Sequence, residues 1–137
     1  MKTAARVAKI ITFTACREIR RIPGIDPAEY ILVAPTINWW SAVYPARIQM
    51  GLFIEFTGAD GAHVPRIEVH DSAGDLLGCL VEGGPFVSND PVAVHSFTQE
   101  MVRFNVSRPG LYDLVLFFNG EEVARRQLWV RPPIVRD

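Results

Sequence analysis

Turn-forming residues recur along this chain every 8 to 12 residues or so, and between them apolar side chains alternate with a period of two. That cadence constrains the fold more than any other feature, because it leaves no stretch of ten residues with helical periodicity. Its clearest instance is Leu114-Val115-Leu116-Phe117-Phe118-Asn119-Gly120-Glu121-Glu122-Val123. Asn and Gly both tolerate positive φ, as the two central residues of a type I′ turn must, and apolar alternation flanks the pair. A β-hairpin is predicted across Asn119-Gly120.

The same reading extends upstream. Over 47–57, Ile48, Met50, Leu52, Ile54 and Phe56 share one face, while Arg47, Gln49, Glu55 and Thr57 share the other. Gly58-Ala59-Asp60-Gly61 turns the chain into 66–71, where Ile67 and Val69 point inward and Arg66, Glu68 and His70 outward. Further strands are predicted over 7–16, 30–34, 76–81 and 92–106, the last with Val102, Phe104 and Val106 inward. Asp26-Pro27-Ala28-Glu29 has the form of a capping box with proline at the first helical position. The expectation is an all-β chain: a two-sheet, immunoglobulin-like (Greek-key) β-sandwich of about seven to eight strands, with at most one short helical turn near 26–30. It fills residues 1–137 as a single domain. Tyr112, just after the Pro109-Gly110 corner, fits the tyrosine that such sandwiches tie back to upstream backbone.

A chain of 137 residues, 49% hydrophobic and 21% charged, is long enough to bury a core without disulfides or metals. Its net charge of −1 comes from scattered arginines and acids, so no basic stripe marks a nucleic-acid or membrane partner, and neither is expected. Cys16 and Cys79 read as two buried, unpaired thiols. The apolar run ending in Ala15-Cys16 is broken by threonines and reads as strand rather than signal segment. With no window near the roughly 18 apolar residues of a membrane span, a cytoplasmic location is expected.

The Tyr44-Pro45 step, the pattern Ile67-Glu68-Val69-His70-Asp71-Ser72-Ala73-Gly74 and the ending from Pro109-Gly110-Leu111-Tyr112 through Asn119-Gly120 to Trp129-Val130 resemble an uncharacterised prokaryotic β-sandwich family, a domain of unknown function. The resemblance departs at 17–35. It implies an immunoglobulin-like architecture and carries over no functional residue.

Catalytic and metal chemistry find little support. His63, His70 and His95 with Asp71 and Asp90 lack the close ligand pairs of a zinc site and read as surface histidines, so no metal or cofactor is expected. Glu68 and His70 sit two apart on one outer face, a pairing that more often decorates a solvated sheet than catalyses, and no Gly-x-Ser-x-Gly elbow occurs. The aromatic residues are the better handle. Trp39 and Trp40, if extended, point to opposite faces, so that either one is core and the other is exposed near Tyr44 for a partner or a sugar ring, or both cover the open end of the sandwich. Phe53, Val115 and Phe117 fall on the outer parity of their strands and, if those strands are neighbours, form an apolar patch suited to homodimerisation or to covering by 17–35. The functional expectation is a non-enzymatic protein working through protein contacts or self-association, with Trp39, Trp40, Tyr44, Phe53, Val115 and Phe117 as contact residues. Its alternatives are a small-ligand or carbohydrate module at Trp39 and Trp40, and a hydrolase using His70.

Overall fold

The computed structural model describes residues 8–26 and 28–133. Among them are eleven strands and no helix. A four-stranded sheet, in the order β2-β1-β4-β9, is built from β1 (Lys9–Arg21), β2 (Tyr30–Pro35), β4 (Ala46–Thr57) and β9 (His95–Val106). A five-stranded sheet, in the order β3-β11-β10-β6-β7, contains β3 (Asn38–Trp40), β6 (Pro65–Asp71), β7 (Leu76–Glu82), β10 (Gly110–Phe118) and β11 (Glu121–Arg131). A two-stranded ribbon pairs β5 (Gly61–His63) with β8 (Phe86–Ser88). The strand count therefore exceeds the seven to eight expected, and a third sheet is present. The three-residue strands β3, β5 and β8 are too short for a period-two signal to register. The helical turn expected near 26–30 involves residue 27, which lies outside the described residues. Residue 7 of the first predicted strand lies outside them too.

The inward residues of the two larger sheets meet in one apolar cluster. Phe13, Ile48, Met50, Leu52, Ile54 and Phe56 come from one sheet, and Ile67, Val69, Leu114, Leu116, Leu128 and Val130 from the other. The predicted faces of 47–57, 66–71 and 102–106 agree with this burial. The turn at 58–61 carries the chain from the four-stranded sheet towards the five-stranded one. A β-bulge between Ile10 and Thr12 reverses parity in β1, which brings Phe13 and Ala15 inward and leaves Ile11 outside.

The closing hairpin forms with Asn119 at φ 54° and Gly120 at φ 79°. Asn119 also clasps the segment before β6. Its backbone N–H donates to Val64 O (3.1 Å), its Oδ1 accepts from Val64 N (2.9 Å) and its Nδ2 donates to Ala62 O (3.1 Å). The Tyr112 hydroxyl donates to Arg108 O at 2.5 Å, the backward tie predicted for it, and burial pushes its phenol up. The thiols differ from expectation: Cys16 is buried and Cys79 exposed, both free. Burial pushes the Cys16 thiol up, against the opposing hydrogen bond from the Glu18 backbone, so it is a poor nucleophile.

At the end of β2 the chain changes sheets. Thr36 N–H donates to Ala15 O of β1, and Trp129 N–H of β11 donates to Ile37 O at 2.7 Å. Thr36 Oγ1 accepts the Asn38 N–H at 2.9 Å, a local turn that aims β3 along β11. β3 then pairs parallel with β11, placing Asn38 opposite Trp129 and Trp40 opposite Arg131. These links build the edge on which the functional site lies.

Candidate functional site

Alternation along β11 buries Leu128 and Val130 and turns Trp129 and Arg131 outward. In β3 it buries Trp39 and turns Asn38 and Trp40 outward. The parallel pairing brings the two outward sets together. The Arg131 guanidinium lies 4.8 Å from the Trp40 ring centre and 5.5 Å from that of Trp129, and its Nη2 donates to Asn38 Oδ1 at 2.5 Å. Two indoles and a fixed cation thus form a ladder on an open sheet edge, with Trp40 41% and Trp129 38% exposed. Sequence reasoning found Trp40 but missed Trp129 and Arg131. The parity of Leu128 and Val130 was the signal that places both outside.

Beside the ladder, β1 and β11 diverge and leave a slot of about 460 Å³ lined by residues of β1, β11 and 35–38. Arg126 lines it, and its Nε donates across the gap to Phe13 O at 2.8 Å. Neither Arg126 nor Arg131 belongs to an ion pair among the described residues, whereas Arg20, Arg66 and Arg125 each do.

The other predicted contact residues do not assemble into one surface. Trp39 is buried beneath the Arg17 guanidinium, 5.4 Å from its ring. The Tyr44 hydroxyl is buried as well. Phe53 packs against Tyr30 with ring centres 6.2 Å apart, so the chain covers it itself. β4 and β10 belong to different sheets, so Phe53 cannot join Val115 and Phe117 in a patch. Val115 is fully buried although it points outward. Its register neighbours are Glu68 and Arg125, whose ion pairs roof it: Arg66 to Glu68 (2.6 Å), Arg66 to Glu82 (2.6 Å) and Arg125 to Asp113 (3.2 Å). Phe117 is half-buried on the same strand.

Glu68 also meets His70 Nε2 at 2.9 Å, and this bond, followed by that to Arg66, holds its carboxyl below the usual carboxylate range. A carboxylate so stabilised is a weak base, and neither residue lines the slot or the two smaller cavities. The surface reading of the histidines is corrected for His63. It is buried with both ring nitrogens unpartnered among the described residues, stacked on Phe86 at 5.4 Å in an aromatic cluster with Phe56, Phe118 and His95. His95 Nε2 lies 2.9 Å from Ser88 Oγ, which also donates to Asp90 O at 3.2 Å. The direction of the bond to His95 follows the imidazole tautomer, and at 2% exposure the Ser88 hydroxyl is beyond the reach of a substrate. The pair fastens β8 to β9. No group of three metal-ligating side chains occurs among the described residues, nor any helix long and apolar enough to cross a membrane.

No protein-family model matches this sequence, and no curated protein matches it. Among solved structures, the chain is similar to part of a Pseudomonas fluorescens alkylpurine DNA glycosylase, AlkC, bound to DNA containing an abasic site analog. The TM-score is 0.48 at 15% identity, with 90% of this chain and 30% of that chain covered. That match stands against two expectations, a non-enzymatic protein acting through protein contacts and the exclusion of a nucleic-acid partner, and neither is retained. The exclusion rested on net charge, which averages over the whole surface and is blind to where unpaired arginines collect.

Proposed function

We propose that this chain binds single-stranded nucleic acid along the edge formed by β3 and β11, and that its two larger sheets are the layers of an immunoglobulin-like β-sandwich that holds this edge rigid. The observation that carries the reading is the Trp40–Arg131–Trp129 ladder. Unpaired bases stack on exposed aromatic faces at about 1 to 3 kcal/mol each, whatever their identity, while guanidinium groups free of carboxylates meet the phosphates. Arg131, which has no carboxylate partner among the described residues, is such a group on this edge. Duplex DNA keeps its bases stacked on each other and has none to offer the indoles, so single strands are preferred.

The test is fluorescence anisotropy of a labelled mixed-sequence oligonucleotide titrated with the protein at low and moderate salt. The reading predicts saturable binding that weakens with salt, is tighter for the single strand than for the duplex, and falls at least about 10-fold when Trp40 and Trp129 are both replaced by alanine. Equal affinity of the folded double variant contradicts it.

A further inference from the structure

We propose that the slot between β1 and β11 is a binding site for a small organic monocarboxylate with an apolar body. The inference is independent of strand binding on the neighbouring ladder. At about 460 Å³ the slot lies within the size range of small-molecule sites. Phe13 and Leu128 of the buried core lie beneath it, and Pro35 is an exposed apolar residue of its lining against which a ligand ring or branched chain can pack. Ile37 forms part of the wall, and Thr14 and Asn38 bring polar groups to the lining.

The charge in the slot is a single one. Among the described residues, Arg126 is the sole ionisable side chain of the lining. Its Nε–H is committed to Phe13 O, which pins the guanidinium plane while leaving the N–H groups of both terminal nitrogens without a partner among the described residues. A carboxylate takes two parallel N–H donors from one guanidinium, as a phosphate also does, so charge decides between them. One cation balances one negative charge, whereas a phosphate monoester would bring a second charge against apolar walls with nothing to compensate it. The bond to Phe13 O also holds the cation in place before the ligand arrives, so little side-chain freedom is lost on binding.

Benzoate and its neutral methyl ester are suitable probes, followed by ¹H–¹⁵N correlation spectra of the whole chain. A carboxylate pair plus one packed ring supports a dissociation constant of about 1 mM, so titration to about 10 mM fills about nine-tenths of the sites. Benzoate is expected to shift amide signals of 14–15, 36–38 and 126–128, and methyl benzoate to bind at least about 10-fold more weakly, the loss of one charged hydrogen-bonded pair. Arg126→Gln is expected to lower benzoate affinity by a similar factor. The ester comparison on the unaltered protein stands even if that variant folds poorly. Absence of shifts at about 10 mM benzoate, equal binding of acid and ester, shifts confined to other regions, or unchanged affinity in folded Arg126→Gln would each overturn the assignment.

Discussion

Two regions of the same outward sheet face use arginine in opposite ways. Over β6 and β10, Arg66 and Arg125 are engaged by Glu68, Glu82, Asp113 and Glu122, and this lattice seals Val115 from water. Over β3 and β11, Arg131 meets no carboxylate among the described residues; it stacks on two indoles and bonds an amide oxygen. The first region is closed because each cation has its anion on the protein. The second keeps its cation available to an anion from outside. Net charge, −1 for the whole chain, does not distinguish them.

The comparison breaks most visibly under substitution beneath the roof. Val115→Ala removes two methyl groups from a fully buried site and is expected to cost about 2 kcal/mol, read from urea unfolding midpoints. A loss within about 0.5 kcal/mol, the range of ordinary surface substitutions, would mean that the ion pairs do not seal the strand. On the ladder side, Trp40→Ala with Trp129→Ala removes two cation–π contacts, worth about 0.5 to 1 kcal/mol each at exposed sites. The same double variant is expected to lose its affinity for an oligonucleotide. Arg131→Gln sharpens the contrast further: it should flatten the salt dependence of strand binding by about 0.7 in log–log slope, the contribution of one phosphate contact on a single strand.

The smallest effect concerns acid. Hydrogen bonds to His70 and Arg66 hold the folded Glu68 carboxyl below its ordinary value of 4.5. Such a group contributes stability that is complete above the ordinary carboxylate range and is lost as the pH falls through the lowered folded value. Unfolding midpoints of the parent protein are therefore expected to drop more steeply below about pH 4.5 than those of Glu68→Gln. Parallel acid profiles would show that the lattice does not stabilise the carboxylate.

How much of this was legible in the sequence follows from physical range. Alternation in 47–57 and 66–71, the positive φ of Asn119-Gly120 and the Tyr112 tie are set by neighbours in the chain, and each is found where the sequence places it. The strands of three residues carry too little pattern to be seen. The bulge at Ile10 to Thr12 switches the faces of β1 without a glycine or proline to announce it. Gly51 is a related case: a Cβ there would come within 2.7 Å of Ile19 Cγ1, a close approach that alternation cannot reveal. The ladder depends on β3 pairing with β11 across some ninety residues of chain, from Asn38 to Trp129 and from Trp40 to Arg131. Trp40 was picked out only together with Trp39, and its partners come from register, which between distant strands leaves no mark in either segment alone. Val115 shows the converse. Its outward parity was read correctly, yet the roof over it is made of charged side chains from two other strands.

The central claim is that Trp40 and Trp129, with Arg131, receive the bases of a single strand. The chain has three tryptophans, and the third, Trp39, is buried behind the same edge. Their indole N–H signals in a ¹⁵N-labelled sample, followed during titration with an unstructured oligonucleotide, separate the outcomes within one experiment. The account predicts that the signals of Trp40 and Trp129 move together and saturate while that of Trp39 stays in place. Movement of none of the three, or of Trp39 alone, would contradict it.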